Sequence, residues 1–183
     1  CAERELGPDH AETATSVNNL GLLLHDAGDL AAARPLFERA LAICEKTFGP
    51  DHLDTVHAIG NLAGLLQEMG EGANARRHYE RALAIREREL GADHPDTALT
   101  RNNLGALLQE LGELTTARPH LERALAIREK ALGAGDEQPA QALNNLALLL
   151  QAQGDLATAR PLLERAVTVW EQSVGADHRY TAQ

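Results

Sequence analysis

Cysteine, methionine and aromatic residues are scarce in this 183-residue chain, which has two cysteines, one methionine, one tryptophan, two tyrosines and two phenylalanines. Cys1 and Cys44 are too few for a disulfide framework and lack the paired spacing of a zinc site, so both read as free thiols. An aromatic share of 3% leaves few rings on which bases could stack. Basic charge is also short: 17 Lys and Arg stand against 27 Asp and Glu, a formal charge of −10 that repels phosphate backbones. Nucleic acid is therefore not an expected partner. No apolar run approaches the roughly 18 residues of a membrane-spanning helix, and no basic start precedes an apolar core as in a secretory signal. These absences predict a cytoplasmic protein without membrane attachment. The one methionine, Met69, is internal and the first residues read as the tail of a helix, so the chain is expected to be a segment of a longer array.

What is present is a packable chain, 44% hydrophobic and 24% charged, and it repeats. Asn18-Asn19-Leu20 returns as Gly60-Asn61-Leu62, Asn102-Asn103-Leu104 and Asn144-Asn145-Leu146, each 42 residues after the last. Gly7-Pro8-Asp9-His10 returns as Gly49-Pro50-Asp51-His52, Gly91-Ala92-Asp93-His94 and Gly175-Ala176-Asp177-His178, with a degenerate copy at Gly133-Ala134-Gly135-Asp136. Residues 7–48 laid over 91–132 without gaps give 24 identities in 42 positions, far more than shared helix composition produces.

Each unit holds two amphipathic stretches. Val17, Leu20, Leu23, Leu24 and Ala27 fall at helical spacing (helix A), Gly28-Asp29 interrupts, and Leu30, Ala33, Phe37, Ala40, Leu41 and Ile43 follow as helix B. Asp9/Glu12, Asp51/Asp54 and Asp93/Asp96 have capping-box spacing, so the acidic residue after each linker glycine is expected to cap helix A. The same glycine suits a left-handed end to the preceding helix B. Pro35, Pro119 and Pro161 lie inside helix B, where each deletes a backbone bond and is expected to bend the helix.

The register matches a tetratricopeptide pattern at Leu20-Gly21, Leu24, Ala33, Phe37 and Ala40, and again at Leu104-Gly105, Leu108, Ala117, Leu121 and Ala124. Glutamates 45, 87, 129 and 171 stand where a helix-ending proline is usual, so helix B is expected to run about two turns longer, which accounts for the period of 42. Ala40-Leu41-Ala42-Ile43, the Gly-Pro-Asp-His linker, Asn-Asn-Leu and Arg-Pro-Leu-Phe-Glu-Arg together resemble the kinesin-light-chain type of this repeat over essentially the whole chain. The resemblance implies an all-α, right-handed α-solenoid with helix A lining an inner groove. It also points to bacterial multidomain proteins, as does a basic complement in which Lys46 and Lys130 are the only lysines. The units read as 7–48, 49–90, 91–132 and 133–174, with the end of a preceding helix B at 1–6 and the start of a fifth repeat at 175–183.

Function is expected on helix A. Asn19, Asn61, Asn103 and Asn145 form one row and Asn18, Asn102 and Asn144 a second, interrupted by Gly60. Asparagine is a poor helix former, and its carboxamide offers the donor and acceptor that an extended peptide backbone needs. Two readings fit these rows: ligand main-chain binding, which the resemblance implies, or bracing between adjacent helices by the first row. Next on the face come His25, Gln67, Gln109 and Gln151, then the mildly acidic row Asp26, Glu68 and Glu110. Thr15, His57, Leu99 and Gln141 vary between copies and are placed to set sequence preference. Arg101 reads either as an anchor for a ligand carboxylate or as a surface arginine whose stem covers leucines. So few groove cations argue against kinesin-type capture of acidic, tryptophan-containing peptides. Gly60, Gly64 and Gly72 mark the second unit as the softest, and the glycines of its helix A either open a pocket for a ligand side chain or reflect drift.

Catalytic chemistry has no foothold. Ser16 and Ser173 lack a nucleophile-elbow context, no phosphate loop occurs, and equivalent histidines in stacked units stand too far apart to share a metal. The sequence therefore predicts a non-enzymatic, cofactor-free module that binds a protein or peptide. A structural spacer, self-associating through apolar solenoid ends, is the alternative.

Overall fold

The computed structural model describes residues 10–132 and 137–174. Eight α-helices follow one another there: α1 (Ala11–Asp26), α2 (Leu30–Phe48), α3 (Val56–Glu68), α4 (Gly72–Leu90), α5 (Pro95–Glu110), α6 (Leu114–Leu132), α7 (Glu137–Ala152) and α8 (Leu156–Val174). A 3₁₀ turn at Leu53–Thr55 opens the second unit's helix A, and no strand occurs among the described residues. The expected helical tail at 1–6, the degenerate linker at 133–136 and the expected fifth start at 175–183 lie outside the described residues. The chain forms two compact units, 1–89 and 90–183. In the first, α1 packs on α2 and α2 on α3; in the second, α5 packs on α6, α6 on α7 and α7 on α8.

The turn within each helix pair is built the same way in every copy. Gly28, Gly70, Gly112 and Gly154 have φ of 80°, 78°, 78° and 82°, a conformation that a Cβ disfavours. Gly28 N–H donates to His25 C=O at 2.8 Å and Asp29 N–H to Leu24 C=O at 2.9 Å, the paired bonds of a Schellman end. Asp29 then caps α2 by accepting from Ala32 N–H at 3.0 Å, and Asp155 does the same for Thr158 N–H at 3.2 Å. One acidic residue thus closes one helix and opens the next.

The caps of helix A differ from the sequence expectation. The cap is histidine: Nδ1 of His10, His52 and His94 accepts from the N–H of Glu12, Asp54 and Asp96 at 3.2, 3.2 and 3.1 Å. The extended backbone of these histidines, φ −83°, −88° and −75°, places the ring nitrogen over the first turn. Asp51 and Asp93 instead turn toward Arg81 and Arg123. The linker glycine closes helix B as expected: Gly49 has φ 106°, a positive value that a Cβ disfavours, and its N–H donates to Glu45 C=O at 3.0 Å. Thr55 and Thr97, fully buried, donate their hydroxyls to Gly49 and Gly91 C=O at 2.9 Å and fix that linker.

Small residues set the helix spacing. Ala33, Ala75, Ala117 and Ala159 are buried in every helix B, beside Phe37, Tyr79 and Leu121. Each helix B spans 19 residues and the starts lie 42 apart, running unbroken through Pro35, Pro119 and Pro161. Their outer faces carry Arg34–Glu38, Arg76–Glu80, Arg118–Glu122 and Arg160–Glu164, four equivalent i,i+4 pairs that solvent screens and that add little to stability.

One half-buried histidine is placed to make stability pH-dependent. His78 on α4 is held below the ordinary histidine value, first by burial and then by Arg81 and Arg77. With the folded value below the unfolded one, the unfolded chain takes up the proton first as pH falls. This contribution is complete above the unfolded value of 6.5 and is lost as pH drops through the folded one. Leu36, His120 and Leu162 stand at the equivalent positions. His78→Leu is expected to flatten the urea midpoint between about pH 7 and pH 5, and an unchanged slope would exclude His78 as its source.

Candidate functional site

The asparagines fall into two kinds. Asn61 Nδ2 donates to Asn18 Oδ1 at 2.8 Å, and Asn145 Nδ2 donates to Asn102 Oδ1 at 3.1 Å. Each bond joins helix A of one copy to helix A of the next, and each connects a second-row residue to a first-row residue 43 positions on. Bracing therefore uses both rows. It is absent from Gly60, which has no carboxamide. Asn19 is exposed, Asn103 and Asn144 are half-buried, and these three make no side-chain hydrogen bond among the described residues.

Hydrogen bonding leaves chemistry over even in the braced pairs. Asn61 keeps its Oδ1 as an acceptor and Asn18 its Nδ2 as a donor, a complementary couple of the kind a peptide unit presents. His25 Nε2 lies 2.9 Å from Glu68 Oε1, so this row and the acidic row are joined across copies. Gln67 is half-buried and engaged within the chain, Gln109 is half-buried, and Gln151 is exposed. Arg101 is half-buried and already held by an interaction within the chain. Thr15, His57, Leu99 and Gln141 all reach the surface, as their variability suggested.

Sequence reasoning missed a cleft of about 430 Å³ in the first unit. One wall is α1, through Ala11, Ala14, Thr15 and Asn18; the floor is α2, through Ala40, Cys44 and Phe48. The second wall is the start of the next helix A, through Asp54, His57, Ala58 and Asn61. Gly60 and Gly64, for which a pocket was one of two readings, do not line it. Its floor is a departure from the other copies: position 44 holds cysteine where they place Arg86, Arg128 and Trp170. Burial pushes the Cys44 thiol up, with Asp54 and Glu45 adding to the effect, which favours the neutral thiol. No group of His, Cys, Asp or Glu able to hold a metal occurs among the described residues. No helix among them is long and apolar enough to cross a membrane.

Tandem helical hairpins of fixed period with a polar helix A face define a helical repeat protein of the kind that binds other proteins. The sequence profile of the tetratricopeptide repeat matches residues 1–46, 12–71 and 57–130, and a second tetratricopeptide repeat profile matches 140–180. The chain belongs to the tetratricopeptide repeat family. No curated protein matches it. Among solved structures it is similar to BtubC (BKLC) from P. vanneervenii, at 26% identity and a TM-score of 0.79, covering 89% of this chain and 65% of that one. It is equally similar to kinesin light chain nearly identical TPR-like repeats from Podosopora anserina, at 26% identity and a TM-score of 0.79, covering 94% and 82%. Aspartyl phosphate phosphatase F from Bacillus subtilis, 15% identical with a TM-score of 0.75 over 89% of this chain and 41% of that one, shares the fold alone. The fold class is thus the all-α, TPR-like solenoid, of kinesin-light-chain-like character, and its general role is protein–protein interaction. Repeats of this fold are generally non-enzymatic.

Proposed function

We propose that the chain binds an extended segment of a partner protein along the helix A face, working in the cytoplasm without catalysis. The observation that carries this reading is the division among the asparagines. Asn18–Asn61 and Asn102–Asn145 brace consecutive copies, while Asn19, Asn103 and Asn144 have carboxamides committed to nothing among the described residues. Polar side chains that reach the surface with unused donors and acceptors suit a ligand backbone.

A peptide-display selection against the chain tests it, run in parallel with an Asn19→Ala/Asn103→Ala/Asn144→Ala variant whose helicity is checked by circular dichroism. Enrichment is expected with the parent chain and is expected to fall at least about ten-fold in the folded variant. Equal enrichment by both would remove the asparagines from recognition.

A specific observation favours the second reading, a self-stacking spacer. Leu20 and Leu23 are 48% and 65% exposed, whereas their equivalents Leu62, Leu104 and Leu146, and Leu65, Leu107 and Leu149, are 6% exposed or less. In later copies that face is covered, and in the first a helix B, from a longer array of the same chain or from another molecule, is the natural cover. A mass that rises with concentration in sedimentation, and falls back on Leu23→Glu, would support this reading.

A further inference from the structure

We propose that the cleft between α1 and α3 receives an arginine side chain from the partner's segment. This rests on the groove reading above and names the chemistry that the groove selects. The first support is the chain's own repetition. At the position of Cys44 the second and third copies place Arg86 and Arg128, which are only 7% and 3% exposed. The fold therefore buries an arginine at this position twice. In the first copy the side chain stops at a thiol, and a void of about 430 Å³ opens above it.

The lining fits the same occupant. Ala14, Ala40 and Ala58 give a smooth apolar channel for methylenes, and the Phe48 ring, 37% exposed and stacked on the His52 imidazole at 5.8 Å, adds aromatic surface at its end. Polar groups at the rim accept more than they donate: the Asp54 carboxylate, the Thr15 hydroxyl, whose hydrogen goes to Ala11 C=O, and Asn61 Oδ1, which the bond to Asn18 leaves open, stand beside the Asn18 Nδ2 donor and the His57 imidazole. A guanidinium is all donor, five N–H groups in a planar fork, and pairs with these acceptors. No lysine or arginine lines the cleft, and Glu68 and Asp26 stand further along the same helices beside His25. A ligand carboxylate would find no cation, and a leucine side chain would leave the rim acceptors unanswered.

The test uses the full chain, isotope-labelled, titrated with acetyl-Gly-Gly-Arg-Gly-Gly-amide and with the same peptide carrying Lys, Leu or Glu at the centre. Saturable shifts are expected in the Asn18 and Asn61 side-chain amide signals with the arginine peptide, in the millimolar range for so short a probe. Lysine is expected to bind several-fold more weakly, and leucine and glutamate about ten-fold or more. Cys44→Arg, which fills the cleft as the second and third copies do, is expected to abolish these shifts. Asp54→Asn, at an exposed position, is expected to weaken arginine binding about five-fold without unfolding the chain. The proposal is overturned by glutamate or leucine binding as tightly as arginine, by unaltered binding in Asp54→Asn or in folded Cys44→Arg, or by no saturable shift. Display peptides that bind Cys44→Arg as well as the parent would sink the cleft and leave the groove reading standing; no enriched peptide at all would count against both.

Discussion

Replacing Gly105 by alanine is expected to lower the urea midpoint, while the same replacement at Gly60 raises it. Helix propensity alone favours alanine at both sites by about 1 kcal/mol. At Gly60 nothing lies within 4 Å of the added methyl, so that gain is expected in full. At Gly105 the methyl would stand 2.7 Å from both Cγ and Cδ2 of Leu121, with Ala117 C=O at 3.4 Å behind it. Leu121 is 0% exposed and has no outward escape, so overpacking outweighs propensity and leaves a net cost of about 1–2 kcal/mol. Gly21 repeats the geometry, with Phe37 Cε1 at 2.8 Å. Ala63 and Ala147 occupy the equivalent position in the other copies and are fully buried, so the pair can be built around a methyl when its facing residues are arranged for one. Two shifts of the same sign, measured by urea unfolding, would show that contact with the facing helix does not decide the outcome.

The second large effect concerns the braces. Asn102 is 2% exposed, and its Oδ1 accepts from Asn145 Nδ2. Asn145→Ala would strand that oxygen away from water at a cost of about 1–3 kcal/mol. Removing both partners is expected to cost less than the sum of the single changes, because Asn102→Leu takes away the stranded acceptor as well. A cycle of Asn145→Ala, Asn102→Leu and the double variant measures this coupling. Additive losses would mean that the two carboxamides do not act as a pair. The same cycle separates bracing from recognition, since Asn19, Asn103 and Asn144 can be changed without touching either bond.

These cases show what can be read from sequence and where reading stops. The helix pairs were legible because apolar residues recur at helical spacing and glycine marks each turn. The caps were misassigned because Asp51 and His52 are adjacent and both accept hydrogen bonds; only the backbone angles decide which one faces the first turn. The asparagine pairs were hidden for a related reason. Alignment at a period of 42 places Asn19 with Asn61, but neighbouring helices meet one residue out of register and join Asn18 to Asn61. The cleft was least legible of all, because it arises from side-chain volume that is missing at Cys44, and patterns of conserved spacing record what is present.

The shared residue at each hairpin turn has a consequence for how such a chain can change in length. Asp29 donates the last bond of one helix and accepts the first of the next, so an inserted residue must break one bond or the other. The hairpin is in this sense a part of fixed gauge. Any viable lengthening has to add a whole hairpin together with its linker, as the spacing of 42 between successive helix B starts already displays. Growth by whole units carries every position of the groove forward together, which lets one copy trade an arginine for a cysteine while the others hold the frame.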